Sequence, residues 1–135
     1  MKILLLNPPF RNGKFSREQR SPAITKSGTF YYPFWLAFAA GVLDENGHEV
    51  ELIDAPARKM TEEDVLNKVE SFNPEIVVID TSTPSIYNDV SYADKIKKIN
   101  NNIFIVLVGT HPTALPENTM SLTNSIDAIA LGEYD

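Results

Sequence analysis

Four short clusters in this sequence hold polar groups or backbone freedom next to apolar runs. Asn7-Pro8-Pro9 follows the first run. Two prolines stiffen the chain there and remove two backbone donors, which makes a rigid turn or a flat wall for a planar ligand. Thr81-Ser82-Thr83-Pro84-Ser85 follows another run. Its hydroxyls can cap the next helix, or donate to phosphate and amide groups without adding charge. Gly109-Thr110-His111-Pro112 follows a third. Gly109 permits close approach of a ligand to the backbone. A lone histidine in such a place more often lines a site or bonds to its neighbours than binds a metal, so His111 is assigned to the wall. Gly132-Glu133 follows the last run and adds a second close-approach glycine with an acid.

These clusters share a position, because each ends a stretch that reads as a strand. Ile3–Leu6 is an apolar run suited to a strand buried on both faces. Glu49–Ile53, Glu75–Asp80, Ile103–Val108 and Asp127–Leu131 are the other four strands. Helical patterns lie between them. Trp35–Glu45 is closed by Asn46-Gly47, residues tolerant of left-handed geometry. A helix beginning at Thr61 has acids in its first turn and an inner face of Val65, Leu66, Val69 and Phe72. Val90, Ala93, Ile96 and Ile99 mark a third helix, and Leu115–Leu122 is a short one that can begin at Pro116. Strands alternating with helices give βαβ units and a parallel sheet. The fold class is therefore α/β: a doubly wound, five-stranded, flavodoxin-like three-layer sandwich. Five strands suit the order 2-1-3-4-5, although alternation alone leaves the order open. In such sheets ligands bind outside the carboxyl ends of the strands.

Composition narrows the function. The 135 residues are enough for one domain, spanning 1–135, with 43% hydrophobic and 22% charged residues. The formal net charge of −6 and the lack of a basic stripe argue against nucleic-acid binding. No apolar run approaches the roughly 18 residues of a membrane span. Asn7-Pro8-Pro9 cuts off the amino-terminal run too early for a signal peptide, so a cytoplasmic protein is expected. There is no cysteine, which excludes thiolate metal sites and an iron–sulfur cluster within these residues.

Other nucleotide and signalling sites do not match. Asp80 and Thr110 stand where a receiver domain keeps its phospho-acceptor and hydroxyl, but acids after the first strand and a lysine after the fifth are missing. The first strand is followed by no hydroxyl-rich flavin-phosphate cradle. The dinucleotide glycine pattern and the Walker loop are absent. His48 and His111 fall at opposite edges of the sheet, so no catalytic pair is visible.

Several segments, in order, resemble the cobalamin-binding domain of radical S-adenosylmethionine enzymes. They are Lys2–Pro9, Tyr32-Pro33, Gly47–Val50, Pro74–Ile79, Gly109–Glu117 and Leu131-Gly132-Glu133. That group includes anaerobic magnesium-protoporphyrin monomethyl ester cyclases and many methyltransferases. The resemblance covers essentially the whole chain. It departs at Thr110, where the group has a second glycine, and at Tyr134-Asp135, where it has Gly-Glu. It implies cobalamin held at the carboxyl edge by the four clusters. Since no histidine follows the first strand, it also implies a displaced lower base with no imidazole in its place. A radical domain carrying the iron–sulfur cluster and S-adenosylmethionine would follow residue 135 as the partner, for methyl transfer or ring-forming chemistry. On this reading the present residues are not catalytic alone. A cofactor-free docking or substrate-recognition module is the alternative, and a visible spectrum with hydroxocobalamin separates the two.

Two further expectations concern surfaces. The connection from Asn7 to Pro33 far exceeds the usual 2–6 residues, and with Arg11, Lys14, Arg17, Arg20 and Lys26 it suits a lid or docking surface. The helix Trp35–Leu43 has no polar side and expects burial all round. A last helix after the fifth strand would cover it in part. Without that cover the segment is expected to self-associate as a symmetric dimer.

Overall fold

The computed structural model describes residues 1–12, 14–17, 23–24 and 30–134. The apolar runs become one five-stranded sheet: β1 (Lys2–Asn7), β4 (Glu49–Asp54), β5 (Ile76–Thr81), β6 (Phe104–Gly109) and β7 (Ala128–Ile129). Every neighbouring pair is parallel, in the order β4-β1-β5-β6-β7. Counted within this sheet, that is the 2-1-3-4-5 order. β1 is an inner strand, with Leu5 opposite Leu52 on one side and Val78 on the other. This explains why Leu4, Leu5 and Leu6 are all fully buried. Asp54 pairs with Asn7 and Thr81 with Gly109 at the carboxyl ends of the strands, so these four residues are brought to one edge with the segments that follow them.

The helices are α1 (Phe34–Glu45), α2 (Ala55–Arg58), α3 (Glu62–Phe72), α4 (Ile86–Ile99), α5 (Thr110–Ala114) and α6 (Pro116–Ser121). α3 starts as expected. Thr61 accepts from the Asp64 backbone N–H, and the Asp64 carboxylate takes the Thr61 N–H at 2.8 Å. Such a capping box contributes about 1 kcal/mol. Several elements extend beyond the sequence reading, among them the short helix α2 after β4. α5 begins directly after Gly109, so residues expected in a loop are helical. A short antiparallel pair, β2 (Phe15–Ser16) and β3 (Ala23–Ile24), lies within the long connection. The expected lid residues Arg20 and Lys26 fall outside the described residues.

The two faces of the sheet are covered unequally. One carries the main core, where Leu4, Leu6, Val77, Ile79, Ile105 and Leu107 meet Val65 and Val69 of α3 and Val90, Ala93 and Ile96 of α4. The other is covered over β1 and β4 by α1, whose Leu36 and Ala39 are buried. Beside α1, Ile76, Val78, Val106 and Ala130 are only partly buried and line an apolar groove of about 260 Å3. Over residues 76–79, β5 therefore alternates between half-buried and buried residues, although it lies inside a parallel sheet. α1 itself is not buried all round. Trp35 is 43% exposed, Phe38 59% and Val42 48%.

Candidate functional site

A cavity of about 490 Å3 opens at the carboxyl edge of the sheet. The ends of β5 and β6 supply Asp80, Thr81 and Gly109, and the first residue of α5 supplies Thr110. α5 adds Thr113 and Ala114, the segment after β7 adds Gly132, Glu133 and Tyr134, and Trp35 of α1 and Arg17 close the remaining sides. Of the sequence candidates, Thr81, Gly109, Thr110, Gly132 and Glu133 line the cavity. Thr113 belongs to the same candidate loop as Gly109, whereas Arg17, Trp35, Asp80, Ala114 and Tyr134 were not anticipated there.

The remaining candidates stand around this cavity rather than on its surface. Asn7 is buried and bridges two elements. Its amide donates to Asp54 Oδ1 at 2.9 Å, and its carbonyl oxygen accepts from Arg17 Nη1 at 2.8 Å. Pro8 accepts from the same Arg17 nitrogen through its carbonyl at 2.6 Å, and the Pro9 carbonyl accepts from Asn88 at 3.1 Å. The prolines thus contribute backbone acceptors to the edge. Ser82 and Ser85 are each 1% exposed, with their hydroxyls 2.9 Å apart. Thr83, Pro84 and Ser85 form a 3-10 turn, in which Thr83 and Pro84 are exposed. Pro112 is buried in α5.

A buried polar network ties these residues together. Arg17 and Asp89 have side chains 1% and 0% exposed and form an ion pair. Arg17 Nε donates to Asp89 Oδ2 at 3.1 Å and to Ser85 Oγ at 3.2 Å. Asp89 Oδ2 also accepts from the hydroxyls of Thr81, at 2.8 Å, and Ser85, at 2.6 Å. An unpaired charge at that depth would be strongly destabilising, and this pairing offsets the cost. Asp54, at the neighbouring strand end, has its carboxyl pushed above the ordinary range by burial. The Ala57 backbone N–H and the Asn7 amide offset this only in part.

Gly109 has a structural reason of its own. Its φ is +112°, and a Cβ there would lie 2.2 Å from the Thr81 carbonyl oxygen and 2.8 Å from Asp80 Oδ1. The close approach is therefore to β5 as well as to the cavity. His111 is 5% exposed, with Nδ1 3.2 Å from Thr83 Oγ1. Its Nε2 is buried with no hydrogen-bond partner among the described residues. No imidazole is among the groups that line the cavity.

Sequence inspection offered one signal for the missed pair. On α4, Asp89 occupies the buried face with Ile86, Val90, Ala93 and Ile96. A lone acid on an apolar helical stripe needs a buried cation. Nothing comparable marks Arg17 among the other basic residues of its loop.

Comparison with known proteins adds the family. Residues 20–135 match the family model described as the B12 binding domain. The chain is 37% identical over 134 residues to an uncharacterized methyltransferase of Pyrococcus horikoshii, which covers 98% of this chain and 27% of that protein. It is 29% identical over 134 residues to the anaerobic magnesium-protoporphyrin IX monomethyl ester cyclase of Rubrivivax gelatinosus, 98% of this chain and 22% of the cyclase. The cyclase of the same description from Cereibacter sphaeroides is 26% identical, again over 98% of this chain and 20% of its own length. The chain thus spans about a quarter or less of each of these relatives. No solved structure gives a significant match.

Proposed function

The chain belongs to the B12-binding domain family, and from that premise we propose that it holds cobalamin at the carboxyl edge of its sheet with the lower base displaced. The observation that carries this is the cavity of about 490 Å3 at the ends of β5 and β6. Its size falls within the range of pockets that bury a small molecule, roughly 300–1,000 Å3. Cobalamin, a corrin ring with a nucleotide tail, exceeds it, so only part of the ligand enters. The tail is the part of suitable size. Trp35, Ala114 and Tyr134 offer apolar surface to a flat base, while Gly109 and Gly132 keep side chains out of its way. The corrin would then be left outside this cavity.

The residues present fit this group. With no imidazole in the lining and His111 turned into the protein, no histidine stands ready to replace the displaced base. The bound group supplies cobalt able to carry a methyl group or accept electrons. Of the chain's own residues, Trp35, Gly109, Ala114, Gly132 and Tyr134 would hold the tail. The relatives named as a methyltransferase and as cyclases are several times longer than this chain. We infer the same arrangement for the full protein, with a radical S-adenosylmethionine domain carrying the catalytic chemistry, either methyl transfer or ring closure.

The test is titration of the chain with hydroxocobalamin, followed by visible absorption. The expected result is saturable binding with a shift to the base-displaced spectrum. The absence of binding by the folded chain would favour a docking module that keeps the fold without the cofactor.

A further inference from the structure

Arg17 is the one cation among the described residues that line the cavity, and a cation beside a proposed nucleotide site suggests a phosphate contact. The geometry argues otherwise. The Arg17 side chain is 1% exposed, and its charge is matched by Asp89, itself fully buried. Its nitrogens are engaged by protein acceptors from three elements: Asn7 and Pro8 at the end of β1, Ser85 of the 3-10 turn, and Asp89 of α4. Thr81, at the end of β5, joins through Asp89. Phe15 and Ser16, just before it, are buried as well, so the long connection is anchored where it crosses the strand ends.

We propose that Arg17 is a positioning residue. Locked by Asp89, it ties the end of β1 to the turn after β5 and to α4, and so shapes the cavity that receives the nucleotide tail. It does not contact the phosphate. The inference rests on the tail entering this cavity. A guanidinium suits the task because its planar fork can bond several acceptors at fixed angles, which an ammonium cannot do. Changing Arg17 should then act on the tail and leave the corrin little affected.

The experiment compares cobalamin with cobinamide, which has the same corrin but lacks the nucleotide. The native chain should prefer cobalamin by about tenfold or more, the equivalent of roughly one net hydrogen bond. Because breaking a buried pair can unfold the domain, the principal variant replaces both partners, Arg17→Met with Asp89→Leu, which removes both charges together. Circular dichroism checks its fold. We expect this variant to bind both corrinoids with similar affinity, near the native value for cobinamide. Asp89→Asn, where it folds, separates the two roles by sign. A positioning Arg17 loses tail preference when its lock is removed, whereas a phosphate-binding Arg17 gains preference when its charge is released. A native preference retained by the double variant, or increased by Asp89→Asn, would overturn the positioning role while leaving cobalamin binding intact. Equal native affinity for both corrinoids would overturn it by removing the tail from the cavity. Failure of the native chain to bind either would overturn the functional reading with it.

Discussion

Gly109→Ala should destabilise the domain before any ligand is considered. Two costs add at this position. The backbone φ of +112° is one that residues with a Cβ rarely adopt, at a cost of about 1–3 kcal/mol. The new methyl would stand 2.2 Å from the Thr81 carbonyl oxygen, which belongs to the neighbouring strand and cannot turn aside as a side chain can. Relieving such a contact means parting β5 and β6 at their ends, comparable to overpacking a core at about 1–3 kcal/mol. The sum, centred near 4 kcal/mol, is a large share of the 5–15 kcal/mol typical of a domain. In a chain of this length it lowers the thermal midpoint by roughly 10–15 °C. Thermal and urea unfolding followed by circular dichroism measure the change. Gly41→Ala is the control: nothing lies within 4 Å of its added Cβ, and it sits within α1. It should stabilise by about 0.5–1 kcal/mol, since glycine is a poor helix former. A Gly109→Ala midpoint within about 2 °C of native would refute the strand-approach argument.

Other outcomes follow from the same geometry. His111→Ala should leave the spectrum of bound cobalamin nearly unchanged. Nitrogen superhyperfine splitting in the electron paramagnetic resonance of the cobalt(II) form, lost in that variant, would contradict the placement of His111. Asp54→Asn should raise the thermal midpoint at pH 7. Burial raises the Asp54 pKa above its ordinary 3.8, so the folded state holds that proton more tightly. Its contribution to stability is present below 3.8 and is lost as pH rises through the raised value. The advantage of the amide should therefore appear in neutral solution and fade below about pH 3.8. Sedimentation of the 135-residue chain should show concentration-dependent self-association through Trp35, Phe38, Val42 and the groove beside them. Phe38→Glu should make it monomeric, and a native chain that is monomeric at high concentration would count against an adhesive α1 face.

The strands were legible because a parallel sheet demands apolar residues in continuous runs, and Ile3–Leu6 and Ile103–Val108 could hardly be placed otherwise. What the runs could not show was unequal cover. Val78 and Val77 are equally apolar, yet one is half-buried in the groove and the other fully buried under the helices. Hydrophobicity records what a side chain tolerates, and cover depends on which helix reaches it. At the edge, the glycine and hydroxyl clusters were legible through their position after strands. Ser82 and Ser85 show the limit of that reasoning. Their hydroxyls can face a ligand or each other, and sequence does not distinguish the two. Here they close a turn around Asp89. Arg17 was obscured for the opposite reason, since a basic residue in a basic loop ordinarily marks solvated surface, and only the acid on the apolar face of α4 demands its burial.

The cavity and the groove are also neighbours in a way that matters for assembly. Tyr134 lines both: one side faces the opening at the strand ends, and the other faces the apolar channel between α1 and the half-covered β5 and β6. Trp35 stands at the cavity while Phe38 and Val42 continue the exposed surface along α1. Any element that settles into the groove must therefore pack against a wall of the cavity. Burial of Ile76, Val78 and Val106 would contribute about 25 cal/mol for each Å2 removed from water, and that stabilisation would also fix Tyr134. Covering the apolar face and completing the binding site are thus physically linked, so a variant that fills the groove, such as Val78→Phe, should change tail affinity although residue 78 does not line the cavity.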